Sequence, residues 1–211
     1  ARMDQMMVEE VANTLTYGVG LLLSLVGFVI LLSLAFYHGD VWHIAGSAIY
    51  GTSLVVLYAA STVYHSTITP HRKEMLQLVD HCCIYLLIAG SYTPFLLTVL
   101  RNDVGPIMLV VVWAFAVFGI LMKVLFRHRF KALGITLYLL LGWLGVITMQ
   151  PLYSALGLIP LILVLAGGVS YTLGMIFFGW KAIKHHHAIF HVFVLGGSIL
   201  HYLAIALYVV P

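Results

Sequence analysis

The stretch ALGITLYLLLGWLGVITMQPLYSALGLIPLILVLAGGVSYTLGMIFFGW, from Ala132 to Trp180, runs 49 residues without an Asp, Glu, Lys or Arg. A helix rises 1.5 Å per residue and the hydrocarbon core of a bilayer is about 30 Å thick, so one crossing takes roughly 20 apolar residues. The stretch is too long for one crossing and about right for two. Gln150-Pro151 and the Tyr153-Ser-Ala-Leu-Gly157 that follows supply a break, because a proline inside a helix removes a hydrogen bond and crowds the preceding turn. The predicted crossings are 132–150 and 156–179.

Outward from this pair, five further runs meet the same length: Leu15 to Phe36, Trp42 to Ser66, Leu76 to Leu100, Val104 to Phe126 and His187 to Val209. Hydrophobic residues make up 63% of the 211 positions and charged residues 8%. A water-soluble domain carries about 25% charged residues, so the surface of this chain faces lipid. The expectation is an all-α integral membrane protein, residues 1–211 forming one seven-helix domain with short connections. The opening ARMDQMMVEE carries mixed, mainly acidic charge and does not read as the basic start of a cleavable signal. The net charge of +3 is too small to point to nucleic acid. Cys82 and Cys83 are adjacent in an apolar run, where geometry disfavours a disulfide, and read as small buried residues.

Nine of the ten Lys and Arg fall on one side of these spans. They are Arg2, Arg72, Lys73, Lys123, Arg127, Arg129, Lys131, Lys181 and Lys184; Arg101 stands alone on the other side. Positive charge is retained in the cytoplasm, which predicts an inner N-terminus, an outer C-terminus and residence in the cell (inner or plasma) membrane. Small residues at four-residue spacing, Gly20/Ser24 and Ser170/Gly174, with Gly167-Gly168 and Gly196-Gly197, read as packing seams. Pro94 and Pro160 are expected to kink the third and sixth spans.

Polar residues inside the spans carry the functional reading, since a charge at mid-bilayer costs about 2.5–3.5 kcal/mol on insertion scales. Asp80 lies near the start of the third span. Ser61 and His65 are four apart at the end of the second, and His187 and His191 repeat that spacing on the seventh. Residues four apart share a helix face, and two such imidazoles can share one metal ion. With the topology above, His65, Asp80, His187 and His191 reach one depth near the inner face. Three histidines with an open fourth position suit zinc in a catalytic role, with a water of lowered pKa. Asp80 is then a candidate general base, and Ser61 a hydrogen-bond partner of Asp80 or of the water. The plain alternative is that an interfacial histidine is only structural. His185, His186, His71 and His128 read as solvated loop residues, and His201, about 20 Å from His187 along the axis, as an outer packing group.

The chain also resembles the hemolysin III branch of the progestin and adipoQ receptor (PAQR) superfamily, itself similar to the alkaline ceramidases. The resemblance rests on Glu10-Val-Ala-Asn13-Thr-Leu-Thr16, Ser61-Thr-Val-Tyr-His65, Asp80-His-Cys-Cys-Ile-Tyr85, Leu87-Ile-Ala-Gly-Ser-Tyr-Thr-Pro94-Phe95 and His187-Ala-Ile-Phe-His191. It implies a seven-helix fold with zinc on His65, His187 and His191, and Ser61 and Asp80 close to the zinc-bound water. Glu10 and Asn13 match a family signature whose plainest reading is a cap on the first helix. Three functions follow as expectations: an intramembrane zinc hydrolase of lipid amide or ester bonds, a non-catalytic sensor or regulator of membrane lipid state, and the pore-forming cytolysin of the family name. In the first two the partner is a membrane lipid. No His-Glu-x-x-His of zinc peptidases is present, and a chain this apolar does not read as a secreted toxin.

Overall fold

A computed structural model of the chain describes residues 2–127, 129 and 131–211. Among these residues, seven helical segments are long and apolar enough to cross a membrane, and there are no strands. The helices are α1 (Arg2–His38), α2 (Val41–Ser66), α3 (Pro70–Leu97), α4 (Gly105–Phe126), α5 (Lys131–Trp143), α6 (Met149–Leu156), α7 (Leu158–Gly179) and α8 (His186–Ala204). A 3₁₀ stretch, Leu144–Thr148, joins α5 to α6 as one span, and a π-helical stretch, Ile205–Val209, finishes the last. α1 packs along α2, α2 along α3, α3 along α4 and α7 along α8, while α8 also meets α1. The last span is thereby brought beside the first two.

Several expectations are corrected. α1 begins at Arg2, well before Leu15, so Glu10 and Asn13 lie inside a continuous helix and cap nothing. α3 begins at Pro70, the position where a proline is tolerated because its missing N–H has no partner to lose. The break in the uncharged stretch falls at Gly157, with φ 84° and ψ −168°, a conformation only glycine adopts without strain. Pro151 does not break the chain. It is the third residue of α6, and the 3₁₀ hydrogen bonds just before it have already released the α-helical pattern at that point. Pro160 is likewise the third residue of α7, a first-turn position at which no helical hydrogen bond is lost and no kink is required. Pro94 does lie inside α3. His186 is the first residue of α8 rather than loop, and its Nδ1 lies 3.2 Å from the Phe177 carbonyl. His71 sits in the exposed first turn of α3, and His128 lies outside the described residues.

The change of helix type inside the fifth span frees backbone groups that lipid cannot satisfy. Tyr92 of α3 serves them. Its hydroxyl is 2.8 and 2.6 Å from the carbonyl oxygens of Leu141 and Gly142, and it accepts from the Gly145 N–H at 2.7 Å. Other cross-helix bonds are few but well placed. Ser198 receives both Tyr58 (3.0 Å) and Tyr171 (2.8 Å), joining α2, α7 and α8, and Tyr202 donates to the Gly27 carbonyl at 2.7 Å. At the far end, Asp40 caps α2 by accepting from the Trp42 and His43 N–H groups. The His43 ring beside it holds the Asp40 carboxyl below the usual carboxylate range. Arg101 reaches toward Asp40 and covers the Trp42 ring at 4.7 Å.

The small-residue seams are real contacts. Ser170 donates to the Phe193 carbonyl at 2.7 Å, and side chains added at Gly167, Gly174, Gly197 or Gly20 would run into His201, Phe193, Tyr171 or Tyr58. Ser24 instead bonds within its own turn, to Leu21. At Gly46 the backbones of α2 and α3 approach closely: a Cβ there would lie 2.8 Å from the Pro94 Cα, with no flexible atom to yield. Gly46→Ala is therefore expected to destabilise the purified protein by about 1–3 kcal/mol, read as a lowered melting temperature in detergent. Gly18→Ala, where nothing lies within 4 Å, is expected to be neutral or to gain up to about 1 kcal/mol from helix propensity.

Candidate metal centre

His65 lies in the last turn of α2, His187 and His191 in the first turns of α8, and the α1–α2–α8 contact brings the three together. One ring nitrogen from each lies within 4.8 Å of the other two. The Nε2 atoms of His65 and His187 are 3.3 Å apart, and the ring centroids stand 5.1 Å (65–187), 5.1 Å (65–191) and 4.4 Å (187–191) from one another. His65 and His191 are buried at 4% and 1% exposure, and His187 is partly buried.

The chemistry of this cluster fits a borderline-soft divalent ion. Both ring nitrogens of His191 are buried without any hydrogen-bond partner, a costly state for a polar group in a lipid-embedded core. The three imidazoles share one small volume, with His65 and His187 facing each other through Nε2, and a cation met by their lone pairs satisfies all three together. Imidazole is the favoured nitrogen ligand for zinc and for several transition metals.

Around the histidines stand residues that sequence reasoning placed elsewhere. Glu10 of α1 brings Oε2 to 3.2 Å from His65 Nδ1, and Lys73 of α3 donates to the same oxygen at 2.8 Å. Tyr17 lies parallel to the His65 ring, 5.7 Å away and tilted by 9°, and its centroid is 4.1 Å from that of His191. Glu9 meets His185 at 3.2 Å, fixing the left-handed residue that precedes α8. The spacing Glu10, Asn13, Tyr17 marks one helix face, though not what that face packs against. Reading the first span from Leu15 concealed the face.

Ser61, fully buried one turn above His65, donates to Asp80 Oδ1. Asp80 is 8% exposed and lines a cavity of about 790 Å³ together with His65 and His187. The predicted residues therefore fall into two groups at one cavity, the three imidazoles and the Ser61–Asp80 pair. His201 stands apart from the three imidazoles, bonded to the Val164 carbonyl at 3.0 Å, and lines another part of the same cavity. The cavity continues from the histidines past Ile84, Ile88 and Leu139 to Phe95 and Val164, so its long axis is apolar and its inner end polar. Its volume is in the range of small-molecule sites.

Fold and site together define a multi-pass membrane protein with a buried three-histidine centre at one end of an apolar cavity. The comparisons agree with the motif reading. The Haemolysin-III related family profile matches residues 5–202, and the chain belongs to that family, within the hemolysin III branch of the PAQR superfamily. It is 44% identical to the Hemolysin-3 homolog of Bacillus subtilis (strain 168) over 202 residues, covering 96% of this chain and 95% of that one. Identity to Hemolysin-3 of Bacillus cereus is 41% over 210 residues, covering 100% and 96%. The monocyte to macrophage differentiation factor of Homo sapiens is 31% identical over 208 residues, covering 93% and 83%.

Removing one imidazole leaves a two-nitrogen site. Elemental analysis of His65→Ala and of His191→Ala is expected to find most of the bound metal gone, with a lowered melting temperature. His201→Ala is expected to retain its metal. A full metal complement in either of the first two variants would remove that residue from the ligand set.

Proposed function

We propose that the protein is an intramembrane zinc-dependent hydrolase of lipid amide or ester bonds. The observation that carries this reading is the placement of a buried carboxylate and three imidazoles at the polar end of an apolar cavity. His65, His187 and His191 would hold the ion, which when bound supplies Lewis acidity for a carbonyl and lowers the pKa of a water. Asp80 would serve as the base. Ser61 occupies one of its carboxylate oxygens, fixing the group toward the cavity it lines. Water adds its oxygen to the acyl carbon, the C–N or C–O bond breaks, and the proton taken up by Asp80 passes to the leaving amine or alcohol. The apolar walls would accept the acyl chain and exclude bulk water.

The orientation belongs to the same reading. With nine of ten Lys and Arg on the side of the histidines, that side is taken as cytoplasmic in the cell membrane. A second reading, a non-catalytic regulator responding to membrane lipids, draws on the position of the cluster between α2 and α8, where an ion would brace the bundle. The relatives' name, hemolysin, points to cytolysis; the apolar cavity walls weigh against a water-filled pore.

Asp80→Asn is expected to lower lipid hydrolysis at least 100-fold while elemental analysis finds the metal unchanged. A wild-type protein with full metal that turns over no ceramide, acyl-amide or lipid ester would overturn the hydrolase in favour of the regulator. Leakage of liposomes that needs the protein and not the metal would speak for the pore. Ser154→Cys, exposed in the last turns of α6 just before Gly157, is expected to label from outside intact cells, and labelling only after permeabilisation would reverse the orientation.

A further inference from the structure

The motif Glu10-Val-Ala-Asn13 has no part in the chemistry above, yet the structure places it against the histidines. Glu10, Asn13 and Tyr17 recur at intervals of three and four, so they share one face of α1, and all three line the inner end of the cavity. Glu10 Oε2 lies 3.2 Å from His65 Nδ1, the ring atom opposite the Nε2 that faces His187. A donated Nδ1–H fixes the tautomer of His65 and leaves the Nε2 lone pair directed into the cluster. Asn13 is 4% exposed, and its Oδ1 is a buried acceptor without a donor. One turn further on, Tyr17 packs on His191 with ring centroids 4.1 Å apart. His191, in turn, has two ring nitrogens without partners. An imidazole that gives one nitrogen to an ion keeps a hydrogen on the other, and that N–H needs an acceptor where no water reaches.

We propose that this face of α1 is the outer coordination shell of the histidine centre: Glu10 orients His65, Asn13 Oδ1, unpartnered here, takes the remaining ring N–H of His191 once an ion is bound, and Tyr17 packs beside both rings. The inference rests on the reading of the cluster as a metal site. Glu10 and Asn13 are positioning residues; neither is a ligand. Lys73, bonded to the same Glu10 oxygen at 2.8 Å, holds the carboxylate in place from α3. Three helices that contribute no ligand or only one thereby set the geometry of the centre.

The test is a titration of the purified full-length protein, stripped of metal, with Co²⁺ in competition with a chelator. Glu10→Ala and Asn13→Leu are each expected to weaken Co²⁺ binding about 10–100-fold and to shift the visible absorption of the bound ion. Glu10→Gln and Asn13→Asp, which keep an acceptor oxygen, are expected to recover most of that affinity. The melting temperature with and without Co²⁺ is read in all four, and the stabilisation gained from the ion is expected to shrink in Glu10→Ala and Asn13→Leu more than in the acceptor-keeping pair. If Glu10→Ala does not accumulate, Glu10→Met fills the same space without an acceptor. Affinities of Glu10→Ala and Asn13→Leu within threefold of the parent would overturn the proposal. If His191→Ala binds Co²⁺ as the parent does, the metal reading itself fails, an outcome distinct from the others.

Discussion

Hydrocarbon offers no hydrogen bonds, so each polar group that this chain carries into the membrane has to find its partner within the protein. That constraint accounts for most of the architecture. Ser, Thr and Tyr hydroxyls bond back to carbonyls of their own turn or reach across to a neighbour, as Tyr202 does to Gly27 and Ser170 to Phe193. The 3₁₀ stretch in the fifth span persists because Tyr92 takes up the carbonyls and the N–H that the change of helix type releases. Asp80 is matched by Ser61, and Glu10 by Lys73 and His65. Among the described residues five buried polar atoms lack a partner, Asn13 Oδ1, Ser47 Oγ, Tyr50 OH and both ring nitrogens of His191. The His191 ring is the one that stands beside two further imidazoles, where an ion can take its lone pair.

The same constraint made the spans readable from sequence. A run of apolar residues long enough to cross admits few conformations in lipid, and all seven crossings follow from length and composition. Their ends did not follow as well. A local rule makes Pro151 a break and Pro160 a kink, but each falls within three residues of a helix start, where a proline has no hydrogen bond to remove. The true turn is made by Gly157, whose positive φ is a property of backbone geometry that composition does not announce. Likewise α1 and α3 continue past the apolar stretch into polar residues, because a helix ends where its capping and packing end, not where hydrophobicity does.

The candidate centre was legible because its chemistry is written in helical spacing. Ser61/His65 and His187/His191 recur at four residues, and the alternation of spans brings both pairs to one depth. Glu10 and Tyr17 were not legible as neighbours of that centre. Their role depends on α1 lying against α2 and α8, a packing relation that no spacing within α1 reveals. An acidic residue at the margin of an apolar run reads first as a cap or a solvated end, and only the three-dimensional arrangement shows it turned inward, beside an imidazole and a lysine.

The separation of the histidines along the chain has a consequence for how the molecule is made. His65 emerges from the ribosome 122 residues ahead of His187, and four complete crossings are threaded between them. Throughout that interval the nascent bundle holds a lone imidazole beside Glu10 and Lys73. The cluster closes only when the final hydrophobic segment enters and settles against the first two. An ion held by all three imidazoles would thus be acquired only at the end of biogenesis, and a chain stalled before its last crossing would lack two of the three.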